Sequence, residues 1–194
     1  AYQANESAVA HHNVSLGGRL VRNDITGVLD AEGAEVTLNG LYLGDGRQHV
    51  DNHTRIDHLQ PGSVSNEYYK GILDGRSRGV FNGKVVVQPQ AQQTESDQQN
   101  RNLLLSRNAE VDPKPELEIF ADDVTATHGA TVGQLDEKAL FFLRSRGIDT
   151  PEARNLLIFG FANEIIEQIG IAPVRARLEA HLLSRLPHTS AMED

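Results

Sequence analysis

Short runs of β-branched and apolar residues, each bounded by Gly, Asn or Asp, fill the chain up to about residue 135, and no helical periodicity interrupts them. The runs span residues 9–16, 35–43, 49–59, 63–73, 79–87 and 117–124. Runs of this kind are typical of β-strands. Many strands without helices between them form a sandwich, a barrel or a β-solenoid. The runs begin at irregular intervals, so no repeat period separates a sandwich from a solenoid.

The pattern becomes helical after residue 135. It predicts three helices, which span residues 137–146, 151–169 and 173–186. Asp136 and Thr150 are suitable N-caps for the first two, and Gly147 stands where a helix-ending glycine belongs. We therefore expect a β domain over residues 1–135, a helical domain over 136–186 and a frayed tail over 187–194.

Two segments predict irregular structure inside the β domain. Residues 88–102 are polar and rich in Gln, which is typical of a loop or an exposed turn. The sequence Asp112-Pro113-Lys114-Pro115 predicts a rigid break before a strand over residues 117–120.

Charge and cysteine content exclude several classes of function. The chain has 18 Lys and Arg against 27 Asp and Glu, so its net charge is −9, and it has no Cys. An acidic chain is poorly suited to nonspecific binding of nucleic acid or anionic membranes. The missing thiols exclude disulfides, thiolate metal sites and cysteine nucleophiles within this chain.

Cellular location follows from what the sequence lacks. No apolar run approaches the roughly 20 residues of a membrane-spanning helix, and the polar first residues do not form a signal peptide. We expect a soluble, cytoplasmic protein. Because the chain begins with Ala, we also expect it to be a piece of a longer protein.

An acidic cluster, formed by Glu116, Glu118, Asp122 and Asp123, suggests an enzyme. A carboxylate pair among Glu118, Asp122 and Asp123 would suit a β-helix glycoside hydrolase or lyase. The chain has only six Phe, four Tyr and no Trp with which to stack on sugars. An enzyme would hold such a pair in a groove, whereas a non-catalytic protein would scatter these carboxylates over its surface.

Histidines provide two further candidate sites. His49, Asp51 and His53 share one face of an extended run, so a metal-binding hypothesis predicts that the three side chains converge on one ion. His128 is flanked by small residues that leave its imidazole accessible. A neutral imidazole is a borderline ligand that suits iron. The alternative for His128 is an ordinary strand histidine.

The residues between 102 and 148 carry a resemblance to a known family. They comprise segments 102–105 and 109–124, then His128-Gly129-Ala130-Thr131-Val132-Gly133 and Phe141-Phe142-Leu143-Arg144-Ser145-Arg146-Gly147-Ile148, with residues 79–83 upstream. This pattern resembles the SufB/SufD family of iron–sulfur cluster assembly proteins. It is closer to the D subunit, because the B pattern has a cysteine near the position of His128. The resemblance covers residues 9–186.

The resemblance implies a fold and a function. The fold is mainly β, with a right-handed parallel β-helix core, here its C-terminal portion, followed by a small helical domain. The function is that of a non-catalytic scaffold in a cytoplasmic complex, where a SufB-type subunit shares a transient iron–sulfur cluster at the interface. A SufC-type ATPase docks on the helical domain and supplies the ATPase activity. The family's ligand histidine maps onto His128. A flavin suggested for the assembled complex is placed on no residue.

Contact surfaces follow from this resemblance and from the strand pattern. An exposed edge strand over residues 117–127 would pair with the edge of a SufB-type subunit or of a second copy of this chain. The interface candidates are Leu117, Ile119, Ala121, Thr125 and Thr127. Apolar stripes on the last two helices would contact the ATPase through Ile158, Phe161, Ala162, Ile165, Ile166, Leu178 and Leu182.

Overall fold

The β part is a parallel β-solenoid, seen in a computed structural model that describes residues 3–186. Its strands are β1 Ala8–Ser15, β2 Leu20–Leu29, β3 Glu35–Gly44, β4 His49–His58, β5 Val64–Leu73, β6 Arg78–Val87, β7 Thr94–Leu104, β8 Glu110–Ile119 and β9 Val124–Gly133. Odd-numbered strands form one sheet in the order β1-β3-β5-β7-β9, and even-numbered strands form the other in the order β2-β4-β6-β8. Each strand therefore pairs with the strand two elements later, as a solenoid requires. The predicted β-helix is confirmed.

Successive coils lie in register but differ in length. Along the odd sheet, Ala8 pairs with Glu35, Glu35 with Val64, and Val64 with Glu95, which gives coils of 27, 29 and 31 residues. The growing coil length explains why the sequence shows no clean repeat period.

One corner of every coil uses a left-handed backbone conformation. Its residues are Glu6, Gly33, Gly62 and Gln93, with φ between 54° and 65°. Their backbone N–H groups each donate to a carbonyl of the following coil, over 2.6–3.2 Å. Glycine adopts this conformation without strain, so Gly33 and Gly62 suit this corner of the coil.

Strand β7 replaces most of the predicted loop over residues 88–102, so that prediction is wrong. Five of the six inward side chains of β7 are buried and polar, namely Thr94, Ser96, Gln98, Asn100 and Asn102, and only the last, Leu104, is apolar. A strand with polar side chains on both faces lacks the alternation by which half-buried strands are found. Strand β2, which spans Leu20–Leu29, was also not predicted from the sequence.

Both prolines of the predicted break, Pro113 and Pro115, lie inside β8, so that prediction is also wrong. The backbone N–H of Glu110 donates to the carbonyl of Ser77, just before β6, at 3.0 Å, and that of Phe120 donates to Val87, the last residue of β6, at 2.9 Å. Even positions of β8 therefore direct their N–H groups toward β6, and odd positions face the open side. The two prolines fall on the open side, where no ladder bond is lost.

The single edge strand expected over residues 117–127 is two strands. Strand β8 ends at Ile119, the chain turns through residues 120–123, and β9 begins at Val124 in the other sheet. The two edges at this end of the solenoid therefore belong to different sheets.

The solenoid interior combines an apolar cluster with polar pairs between coils. Tyr69 and Phe81 from opposite sheets have ring centroids 5.0 Å apart, and a Cβ at Gly40 would overlap the Tyr69 ring. Between coils, Ser65 Oγ donates to Ser96 Oγ at 2.9 Å.

Three helices follow the solenoid within the described residues: α1 Glu137–Arg144, α2 Thr150–Ile166 and α3 Ala172–Arg185. Asp136 caps α1 by accepting from Lys138 N at 2.8 Å, as predicted. Asp149, rather than the predicted Thr150, caps α2. By internal contacts the chain divides into two compact units, with the boundary after Val132. The predicted tail over residues 187–194 lies outside the described residues.

Membrane insertion through a helix finds no support. Of the helices within residues 3–186, none is both long and apolar enough to cross a bilayer.

Two ionisable groups are buried inside the solenoid. Burial raises the pKa of Glu67 to about 7, against the lowering effect of hydrogen bonds from Thr54 and Gln98. Burial lowers the pKa of His58 to about 4, against a raising effect of the Asp57 charge. At neutral pH His58 is therefore uncharged, and Glu67 is divided between its two protonation states.

These two shifts predict opposed pH dependences of stability. Glu67 binds its proton more tightly in the folded chain, so its contribution to the unfolding free energy falls as pH rises from 4.5 to about 7. His58 binds its proton less tightly when folded, so its contribution falls as pH drops from 6.5 to about 4. The two slopes offset each other between pH 4.5 and 6.5.

Replacing Glu67 by Gln should expose the His58 dependence. We expect the unfolding free energy of Glu67→Gln to rise with pH by about 1.4 kcal/mol per unit between pH 4.5 and 6.5. At pH 8 the variant should exceed the wild type by about 3 kcal/mol, because it no longer buries a carboxylate. Urea denaturation across this pH range measures both effects. A variant that shows the pH profile of the wild type would contradict the assignment.

Candidate functional site

His128 lies in β9, the last strand of the odd sheet within the described residues, and its side chain is exposed. Thr127 Oγ1 donates to Asp97 Oδ1 at 2.5 Å, and a Cβ on Gly129 would lie 2.8 Å from Gln99 Oε1. Both contacts join residues 30 apart. They set the register of β9 on β7 and place His128 directly beside Gln98.

The direction of the His128 side chain follows from strand alternation. Val124 packs against the apolar cluster inside the solenoid, so Val124, Ala126 and His128 face the interior side of the sheet. Thr125 and Thr127 face the outer side, as does Asp97 on the neighbouring strand. His128 thus stands above Gln98, which in turn lies beside Glu67.

His128, Gln98 and Glu67 lie side by side on three successive strands, and we call them the His128 column. Gln98 and Glu67 form its buried part. Gln98 is completely buried, and its Nε2 donates to Glu67 Oε2 at 2.6 Å. Sequence reasoning missed both residues. The signal would have been their separations from His128, 30 and 61 residues, but variable coil lengths hide it.

The predicted interface residues fall in three places. Thr125 and Thr127 are exposed on β9, and Ile119 is 39% exposed at the end of β8. Leu117 packs against the interior cluster, and Ala121 is buried in the corner between the strands. Ala121 is therefore unavailable to a partner, whereas Leu117 is only partly buried.

Most of the residues predicted to contact an ATPase are buried within the chain. These are Ile158, Ala162, Ile165, Ile166 and Leu182, whereas Phe161 and Leu178 are half-buried. Both apolar stripes of α2 are therefore largely occupied. Five of the seven predicted contact residues are therefore covered by the chain itself, and docking through these helices stays a prediction.

The exposed apolar side chains of the helical unit lie elsewhere. Phe141 and Phe142 on α1 are 73% and 54% exposed. Phe141 lines a shallow cavity of about 560 Å³ that continues through Gly147 to Thr150. The Arg146 guanidinium lies 3.4 Å from the centre of the Phe142 ring. Arg144 also lines the cavity, so these residues make an apolar patch with two cations, which we call the α1 patch.

The metal-binding hypothesis for His49, Asp51 and His53 is wrong. Asp51 accepts from Arg22 at 2.7 Å and lies 2.8 Å from His53 Nε2, on the outer face of the even sheet. No group of three His, Asp or Glu side chains within residues 3–186 is placed to hold a metal ion.

The acidic cluster is divided between a strand and a corner. Glu118 pairs with Lys84 Nζ at 2.6 Å, and Glu116 pairs with Lys114, whose hydrogen bond lowers the pKa of Glu116. Asp122 and Asp123 are exposed in the corner before β9. The two glutamates are thus neutralised by lysines at the surface, which is unlike a catalytic carboxylate pair.

The chemistry available at the edge of β9 is that of a nitrogen ligand. His128 offers one imidazole, the chain has no thiol, and iron–sulfur clusters need about four ligands. The imidazole of His128 therefore fits one position of a cluster, and the residues between 3 and 186 form no complete metal site.

Comparison with known proteins gives a consistent result. A family model described as SUF system FeS cluster assembly, SufBD core domain, matches residues 1–161. The chain is 35% identical to the iron–sulfur cluster assembly protein SufD of Escherichia coli over 184 residues, which is 95% of this chain and 44% of that protein. It is 40% identical to a SufBD family protein of Synechocystis sp. over 176 residues, which is 91% of this chain and 39% of that protein.

A third relative extends the comparison. A SufBD family protein of Mycobacterium leprae is 36% identical over 199 residues, which covers 98% of this chain and 51% of that protein. The chain spans between 39% and 51% of the length of these three relatives.

Proposed function

This chain belongs to the SufBD core domain family of the SUF iron–sulfur cluster assembly system, and on that basis we propose that it is a scaffold on which a nascent cluster is assembled. The cluster is cargo, and the chain itself performs no turnover. The observation that carries the proposal is an accessible imidazole, His128, in a chain without thiols, on an edge strand whose open side pairs with no described strand. A partner subunit of the SufB type supplies the remaining ligands.

The backbone of β9 supports this choice of edge. The N–H of Asp123 donates to the Gln92 side chain, and its carbonyl accepts from Gln93 N, so odd positions of β9 face the preceding coil. Even positions, among them His128 and Ala130, direct their N–H and carbonyl groups to the open side. Strand β9 contains no proline, so a partner strand can pair along its whole length.

Strand β8 offers no comparable edge. Pro113 and Pro115 remove two N–H donors from its open side, which is a known way of protecting an edge. We therefore assign the partner interface to β9, with Thr125 and Thr127 beside the seam. The partner is a SufB-type subunit, or a second copy of this chain in isolation.

The α1 patch is the proposed docking surface for a SufC-type ATPase. Large exposed aromatic side chains beside a cavity are typical anchors of protein interfaces. This surface replaces the buried stripes of α2 and α3 in the original prediction.

Substitution of His128 tests the ligand role. In the complex with SufB-type and SufC-type partners, His128→Ala should lower iron and acid-labile sulfide per complex several-fold after anaerobic reconstitution, because one ligand is missing. Size-exclusion chromatography shows whether the complex stays intact. His53→Ala, on the outer face of the even sheet, is the matched control. Unchanged cluster yield in an intact His128→Ala complex would remove His128 from the site.

Proline substitution tests the edge. Ala130→Pro removes one open-side N–H of β9 without removing a bond to β7, as the natural prolines do in β8. We expect affinity for the SufB-type partner to fall about tenfold or more, because a ladder bond is lost and its acceptor is left unpaired. Ala130→Val keeps the N–H and should bind as the wild type. Equal affinity of both variants in a titration would place the interface elsewhere.

Substitution in the α1 patch tests ATPase docking. Phe141→Ser removes an exposed aromatic anchor and should leave the melting temperature nearly unchanged. We expect binding of the SufC-type ATPase, measured by calorimetry, to weaken about tenfold or more. Val174→Ser, on α3 and also exposed, is the control. Wild-type affinity of Phe141→Ser would exclude the α1 patch.

A further inference from the structure

The side-chain amide of Gln98 is oriented by Glu67 inside the solenoid. Its Nε2 donates to Glu67 Oε2 at 2.6 Å, and when Glu67 is ionised, above about pH 7, the carboxylate requires the NH₂ group rather than the oxygen on that side. The Gln98 oxygen, Oε1, is buried and accepts no hydrogen bond from the described residues. A buried acceptor without a donor is unfavourable, so a donor is to be expected close to it.

The strand beyond Gln98 offers one side chain that can donate. The inward residues of β9 are Val124, Ala126, His128, Ala130 and Val132, and all but the histidine are apolar. Neighbouring strands lie about 4.8 Å apart, and the register places His128 beside Gln98. In the structure His128 makes no hydrogen bond to Oε1, but its exposed side chain can rotate to bring a ring N–H to Oε1, whereas the flanking methyl groups of Ala126 and Ala130 cannot donate.

We propose that Gln98 is a positioning residue for His128: Oε1 accepts the proton of one ring nitrogen and leaves the other nitrogen unprotonated, with its lone pair directed to the nascent cluster. This inference rests on the proposed function. Histidine ligands commonly donate their second ring N–H to a fixed acceptor, which selects the tautomer and holds the ring.

Glu67 completes the column by holding the amide. Without the carboxylate, the Gln98 amide could rotate and present its NH₂ group to His128, which would favour the opposite tautomer. The buried pair thus determines which group faces the ring. Because Glu67 does not touch His128, it acts through Gln98.

The test is the tautomer of His128 in the purified 194-residue chain, measured by two-bond ¹H–¹⁵N correlation with ¹⁵N-labelled histidine. The signals of His128 are identified by their loss in His128→Ala. Gln98→Met keeps the length of the side chain and removes the acceptor. We expect it to change the ratio of the two tautomers about fivefold, the effect of one hydrogen bond. Gln99→Met, with its side chain on the other face of β7, should retain the wild-type ratio.

A rescue variant separates a positioning role from general damage to the fold. The double exchange Glu67→Gln with Gln98→Glu reverses donor and acceptor within the buried pair and still presents an oxygen to His128. We expect it to restore the wild-type tautomer. If Gln98→Met does not fold, Gln98→Asn, which withdraws the oxygen by one methylene, takes its place.

The tautomer ratio of His128 in these variants either supports or overturns the positioning role of Gln98. An unchanged tautomer ratio in Gln98→Met, or a loss of the preference in the double exchange, overturns the inference. The measurement uses no iron, sulfide or partner, so its result is independent of cluster yield. Failure of the positioning role and failure of the scaffold function are therefore distinguished by separate experiments.

Discussion

In-register stacking of parallel strands is the constraint on which the rest of this structure depends. Each residue of a strand lies beside one residue of the next coil, so the environment of a side chain is set mainly by positions about 30 residues away. This geometry places Gly33 and Gly62 at the same corner of successive coils. It also places Glu67, Gln98 and His128 in one column, although no local motif connects them.

The polar interior near the last coils is a consequence of this stacking. Five polar side chains of β7 are buried, and such burial is unfavourable unless the groups are paired. Strand β5 of the preceding coil supplies hydrogen-bond partners for two of them, since Ser96 accepts from Ser65 and Gln98 donates to Glu67. Paired groups on two hydrogen-bonded strands cannot move independently. The side chains beneath His128 are therefore linked to two strands, as a site that orients a ligand requires.

The limits of prediction from sequence follow from the same physics. Runs of apolar residues revealed β1, β3, β4, β5 and β6, because their apolar residues are numerous. Strand β7 was hidden by its polar interior face, and β8 by two prolines that a strand tolerates only at an open edge. His128 was found through the family resemblance. Its column was not found, because coil length varies. On α2 the apolar stripes were visible, but their burial depends on tertiary packing.

The two edges at the end of the solenoid determine how a partner can approach. Prolines close the open side of β8, whereas β9 presents free N–H and carbonyl groups at even positions, among which is His128 itself. A strand that pairs with β9 therefore forms backbone hydrogen bonds to the candidate ligand residue. Its own side chains on the interior side would then lie about 5 Å from the imidazole. In the proposed complex, the strand pairing that binds the partner would also bring a second set of ligands to His128, so assembly and site formation would be one event.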